Sequence, residues 1–285
     1  MRHDFTSASV TSTLKALAIA LAWIPLAHAA TQTNQCLAGK AADGIERTGS
    51  HPQCMVTQKF EPAGANGRVL LVFLYGDNGG SLEVLTGRET ALNLSQQLKI
   101  TTIAFQRPIS RSDPGLSGGA TSAEVDDYSP GNVALVAAAL DQLRPLNPGK
   151  KILLIGYSGG AAVAALLASR FPASADAYLL AGCPCDVPPW RQWRNASARE
   201  KGRWTHSLSP QDEVGNIKAG IHMRLVVGNK DDNTLPKFSE TYAARLQAQG
   251  VKTRLTYAIG ATHVSVQRAP EFVMLAQELA SDLSR

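Results

Sequence analysis

The pattern of apolar and polar positions divides most of this chain into alternating strands and helices. Lys151-Ile152-Leu153-Leu154-Ile155 is a short apolar run that reads as a strand buried on both faces. It is followed by Ala161 to Phe171, an alanine- and leucine-rich stretch of high helix propensity closed by Pro172. Arg68 to Leu74 is a second continuous apolar run and predicts a central strand. Met55 to Phe60 alternates and predicts an edge strand. Ile100–Phe105, Ala175–Ala181, Ile221–Val227 and Val251–Ile259 predict four more strands. Helices are expected over Leu82–Lys99, Val133–Leu143 (stopping before Pro145), Pro236–Gln249 and Pro270–Leu283. In the last of these Phe272, Leu275, Leu279 and Leu283 form the buried stripe. Residues 30–53 are turn-rich and read as a surface arm, residues 107–128 as a long loop, and 186–219 as polar and irregular. Alternation of this kind predicts an α/β domain with a mainly parallel central sheet and helices on both faces.

Residues 1–29 do not fit that scheme. Arg2 and Lys15 give a basic start, Leu14–Leu26 is apolar, and Ala27-His28-Ala29 is a small-x-small site. This predicts a secretory signal peptide cleaved near Ala30, with no stable membrane span left afterwards. The product would be periplasmic or secreted. Removing it leaves about 256 of the 285 residues, enough for one domain, 30–285, with a single core. The net charge of +5 is mild, and no long Lys/Arg run points to nucleic acid. Export makes disulfides plausible for Cys36, Cys54, Cys183 and Cys185. Of the three pairings, Cys36–Cys54 and Cys183–Cys185 are favoured. Neither pair has C-x-x-C spacing, and His206 and His222 show no ligand pattern, so no metal or other cofactor is expected.

The chemistry gathers where parallel strands end, because ligands of such sheets bind outside their carboxyl ends. Gly156-Tyr157-Ser158-Gly159-Gly160 joins the strand at 151–155 to its helix. A tight strand–serine–helix turn of this kind is a nucleophile elbow. Its glycines let strand and helix approach, and the first helical N–H groups are free to face an oxyanion. A serine hydroxyl needs a base, and the base an orienting acid. Asp231, ending the strand at 221–227, is the first choice for the acid and Asp232 the second. His263, in Gly260-Ala261-Thr262-His263, is the only histidine after Asp231 and is the expected base. The order Ser…Asp…His fits the elbow.

On these stretches, with Ser209-Pro210 and Gly228 through Pro236, residues 54–285 resemble the α/β-hydrolase superfamily. The second half is similar to prolyl-oligopeptidase-like and dienelactone-hydrolase-like catalytic domains. The resemblance implies an α/β-hydrolase fold and a serine hydrolase working through an acyl-enzyme. Ser158 would be nucleophile, Asp231 acid and His263 base. It implies oxyanion donors at Gly159 and in the Gly76-Asp77 region. Many relatives carry His-Gly where this chain has Tyr75-Gly76, and Asp77 is an awkward neighbour for an oxyanion.

Tyr75 and Tyr157, beside the oxyanion loop and the nucleophile, are candidates to line the substrate site. Trp190, Trp193 and Trp204, interleaved with arginines, lie where such folds insert a lid, here about 186–219. They would either grip an aromatic or anionic substrate or pack as a peripheral helix. Arg107 and Arg111 would add positive character to the same rim. A small ester is the expected substrate. A short peptide is the alternative, although the chain leaves no room for the gating domain of the larger peptidases. A non-catalytic binding protein is the remaining reading.

Overall fold

A computed structural model describes residues 45–48, 55–77, 81–107, 128–196 and 207–285. The expected signal peptide, Cys36, Cys54, His51, Arg111, Trp204, His206 and most of the long loop lie outside the described residues.

Among the described residues eight strands form one sheet: β1 (Ile45–Thr48), β2 (Met55–Phe60), β3 (Asn66–Leu74), β4 (Ile100–Gln106), β5 (Lys151–Tyr157), β6 (Ala177–Ala181), β7 (His222–Gly228) and β8 (Lys252–Ala258). Their order is β1-β2-β4-β3-β5-β6-β7-β8. β2 runs antiparallel to both β1 and β4, and every pairing from β4 to β8 is parallel. β2 is therefore not the edge expected of it, because a strand from the turn-rich arm pairs with it.

Among the described residues there are seven α-helices: α1 (Ser81–Leu98), α2 (Pro130–Leu146), α3 (Gly159–Arg170), α4 (Val187–Ala196), α5 (Pro210–Glu213), α6 (Pro236–Ala248) and, after the last strand, α7 (Pro270–Ser284). The α4 and α5 helices replace an expected irregular segment; α4 has ten residues and α5 only four, too few for an apolar period to announce them. α2 begins at Ser129, whose hydroxyl accepts the Asn132 N–H. It continues through Pro145 to Leu146 instead of stopping before the proline. Asn147 makes this tolerable, since its backbone and side-chain amides take the carbonyls of Arg144 and Leu143 that end the helix.

Both faces of the sheet are covered, as the continuous apolar runs require. Along β3, Leu70, Val72 and Leu74 point into one layer with residues of α2, α3 and α6. The alternate residues Val69, Leu71 and Phe73 point into the other, against Ala91 and Leu94 of α1 and Phe272, Leu275 and Leu279 of α7. Each fully buried leucine or phenylalanine contributes about 1.5–3 kcal/mol. These two layers hold the carboxyl ends of β3, β5, β7 and β8 along one rim.

Candidate active site

The turn between β5 and α3 has a backbone that few serines adopt. Ser158 has φ +54° and ψ −126°, one of two non-glycine residues with positive φ among the described residues. Such a conformation costs on the order of 1–3 kcal/mol and persists where its surroundings impose it. Here they do. The Ser158 N–H donates to the Ala181 carbonyl, and the Ser158 carbonyl accepts from Ala161 and Ala162 at the start of α3. A Cβ at Gly156 would run into the backbone of Gly160, and one at Gly160 into the carbonyls of Leu74 and Tyr75. Both glycines are dictated by this close approach, as the elbow reading expects.

The hydroxyl of Ser158 meets His263. Its Oγ lies 2.9 Å from His263 Nε2, and His263 Nδ1 lies 2.8 Å from Asp231 Oδ2. An ionised carboxylate only accepts, so the Nδ1 proton faces Asp231 and Nε2 is left to accept from the serine. The three residues are 3–8 % exposed, recessed but reachable for Ser158 and His263. Asp231, not Asp232, faces the imidazole. Its other oxygen accepts the backbone N–H groups of Asn233 (2.9 Å) and Thr234 (2.7 Å), while Asp232 points to solvent.

The loops carrying acid and base are joined. Lys230 N–H donates to the Ala261 carbonyl, and Gly260 N–H to Asn229 Oδ1 at 2.6 Å. Gly228 permits this, because a Cβ there would overlap the backbone of Ala261.

Sequence reasoning assigned no role to three further residues, two at this cluster and one at Asp77. Thr234 is fully buried, with its hydroxyl 2.9 Å from Asp231 Oδ2, 2.9 Å from the Gly182 carbonyl and 3.1 Å from His263 Nδ1. A threonine three residues after a strand-end aspartate is a side-chain turn signal that could have found it. Gly182 has φ +55°, and a Cβ there would sit 3.2 Å from His263 Nδ1. Tyr128, at the far end of the long loop, donates to Asp77 Oδ2 at 2.6 Å. Nothing in the local sequence marks it.

Several candidates for substrate contact sit elsewhere. Tyr75 is buried, its ring tilted against Phe73 and pressed on Gly87 of α1. Burial pushes its phenol well above the usual range. Tyr157 lies under the base: its ring centre is 5.2 Å from that of His263, and its hydroxyl donates to the His263 carbonyl at 3.1 Å. Arg107 is buried instead of lying on the rim. Its Nε donates to the Tyr75 carbonyl at 2.8 Å and its Nη2 to Asp77 Oδ1 at 2.6 Å. Trp190 is buried and donates to the Asn233 carbonyl at 3.0 Å, and Trp193 packs on the core. Arg191 stacks on Tyr128 and Trp190. The described part of the insertion is thus a helix packed on the domain, with Trp190 buried and Trp193 half-buried. Gly76 and Asp77 follow β3 at the same rim, with the Asp77 carboxylate against the α-carbon of Gly159.

Cys183 and Cys185 have Cα atoms 5.1 Å apart and sulfurs at bonding distance, beside Gly182. Among the described residues no three His, Cys, Asp or Glu side chains gather to hold a metal. No helix among them is long and apolar enough to cross a membrane.

No protein-family model and no curated protein matches this sequence. Solved structures do. The esterase Pf2001 of Pyrococcus furiosus superposes with a TM-score of 0.63 at 17 % identity, over 83 % of this chain and 90 % of that one. Proline iminopeptidase of Mycobacterium smegmatis gives 0.63 at 12 % identity, over 84 % and 98 %. The esterase Est2 of Thermogutta terrifontis, determined with propionate bound, gives 0.61 at 17 % identity, over 84 % and 94 %. At these identities the likeness is one of fold: the chain has the α/β-hydrolase fold.

Proposed function

On this fold we propose that the protein is a serine hydrolase that cleaves carboxylic esters through an acyl-enzyme. The observation that carries this reading is the continuous chain of contacts Ser158 Oγ–His263 Nε2 (2.9 Å) and His263 Nδ1–Asp231 Oδ2 (2.8 Å), built on a strained elbow. Hydroxyl, imidazole and carboxylate are each within proton-transfer or hydrogen-bond reach.

In the reaction Ser158 Oγ attacks the ester carbonyl carbon as its proton passes to His263 Nε2. The imidazolium so formed is held by Asp231. The carbonyl oxygen becomes an oxyanion, received by the N–H of Gly159 at the start of α3 and by an N–H of the Gly76-Asp77 segment. The tetrahedral carbon then expels the alcohol, which takes the proton from His263. Water, deprotonated by His263, attacks the acyl-serine and releases the acid and the free hydroxyl. No step calls for a metal or an organic cofactor.

The fold likeness to two esterases supports the ester reading, and the likeness to a proline iminopeptidase supports a short peptide as the second substrate class. Export is part of the proposal, on the leader-like pattern of residues 1–29 and the Cys183–Cys185 pair. A fluorophosphonate probe should label wild-type protein and not Ser158→Ala. No labelling of folded wild type would leave the binding-protein reading. Turnover of p-nitrophenyl esters over peptide anilides is expected, and cleavage of anilides alone would reverse the order of the two substrate classes.

A further inference from the structure

An aspartate in an oxyanion loop places like charges together, and the surroundings of Asp77 show how this chain accommodates one. The carboxylate lies against Gly159: a Cβ on that residue would overlap both carboxylate oxygens and their carbon. Gly159 N–H is the donor assigned above to the oxyanion. The reacting oxygen would therefore develop its negative charge a few ångströms from a formal negative charge. At an effective dielectric constant of about 20, such a repulsion is worth on the order of 100-fold in rate.

Both oxygens of Asp77 are taken. Arg107 Nη2 holds Oδ1 at 2.6 Å and the Tyr128 hydroxyl holds Oδ2 at 2.6 Å. The same guanidinium donates from Nε to the Tyr75 carbonyl, two residues before Asp77. Its side chain is 6 % exposed, against 22 % for Asp77, so solvent screens this pair weakly. One arginine, at the end of β4, thus grips both ends of the segment that follows β3. A guanidinium keeps its charge throughout the working pH range of a protein.

We propose that Arg107, seconded by Tyr128, is a positioning residue and the counter-charge of the oxyanion loop. It cancels the field of Asp77 at the oxyanion and, through Asp77 and the Tyr75 carbonyl, fixes the segment whose N–H must point at the reacting oxygen. The carboxylate is the handle by which the loop is held, and the arginine makes that handle electrically harmless. This rests on the serine-hydrolase reading.

The test compares second-order rate constants of fluorophosphonate labelling for the full chain, with circular-dichroism melts to establish folding. Labelling of wild type and not of Ser158→Ala checks the reading beneath the proposal, and its failure is visible before any other variant is made. Given that, Arg107→Met is expected to label about 100-fold more slowly, because it leaves Asp77 uncompensated. Asp77→Asn, which removes the charge and loses one of its two accepted hydrogen bonds, should lose less rate than Arg107→Met. The double variant Asp77→Asn/Arg107→Met should label at least about tenfold faster than Arg107→Met, a rescue that loss of packing alone would not give. Arg107→Met at wild-type rate overturns the proposal, as does a folded double variant as slow as the single. Should Arg107→Met not fold alone, the other two variants decide: a 100-fold loss in folded Asp77→Asn or in the folded double variant overturns it, and rates near wild type support it.

Discussion

Replacing Thr234 by valine removes one hydroxyl from the cluster and leaves its shape nearly unchanged. That hydroxyl has one proton and three polar neighbours: Asp231 Oδ2 and the Gly182 carbonyl, both at 2.9 Å, and His263 Nδ1 at 3.1 Å. It donates to one oxygen at a time and presents its lone pairs to the imidazole N–H. Asp231 would still accept from His263 and from the N–H groups of Asn233 and Thr234, since valine keeps the backbone amide. The Gly182 carbonyl would lose a buried donor, which costs about 1–2 kcal/mol. For a chain of this size the melting temperature falls by roughly 2–8 °C. The imidazole keeps its carboxylate and loses its lateral stop. The expected loss in kcat is about tenfold, with KM unchanged because Thr234 does not reach substrate. Thr234→Ser should restore kcat to within about threefold, since it returns the hydroxyl and omits only a methyl group. The assay is ester hydrolysis with the labelling rate as control. A valine variant with wild-type kcat, or a serine variant as slow as valine, would refute the positioning argument.

Asp231→Asn should lower turnover by about 10⁴-fold and Asp232→Asn by less than about threefold, measured on one ester; the opposite order would reassign the acid. Gly159→Ala puts a methyl group into a carboxylate that Arg107 and Tyr128 hold in place, so labelling should slow by about 10²–10³-fold and stability fall by about 1–3 kcal/mol. An alanine variant at full rate would mean that Asp77 moves aside freely. Asp186 has its carboxyl pushed up by burial and by Asp212, against a smaller opposing effect of Arg245. The folded state therefore disfavours the charged form, so the stability this carboxyl contributes is intact below about pH 3.9, its unfolded value, and is lost as pH rises through the raised folded value. Asp186→Asn is expected to melt higher than wild type at pH 7 and alike at pH 3. An equal difference at both would exclude titration as its source.

The parts of this protein that were legible in its sequence are those where one local rule acts alone. Two-sided burial makes β3 and β5 continuous apolar runs, and backbone crowding makes Gly156 and Gly160 obligatory, so strand, elbow and helix could be read directly. The strand ends then put Ser158, Asp231 and His263 on one rim. What stayed hidden depends on partners distant in the chain. Arg107 looks like a rim cation until β4 is seen beside β3, where Asp77 claims it. Tyr75 and Tyr157 neighbour the chemistry in sequence, but strand alternation turns one into the layer under α1 and the other beneath the imidazole. The same holds for β1, whose four residues carry no alternation of their own and are recruited by β2. Trp190 becomes a core residue because Asn233, 43 positions on, accepts its indole proton.

The proton carriers ride on the last two strands of the sheet, and their loops lean on one another through Gly228, Ala261 and Asn229. The nucleophile stands on an inner strand, locked by both layers. One end of the machine is thus built into the keel and the other into the outermost plank, for β8 is a boundary strand with three of its seven residues open to water. Warming should loosen that plank first, so that turnover fades while the rest of the protein is still folded. Stiffening the β7–β8 border is the change that would extend working life at high temperature without touching a reacting atom.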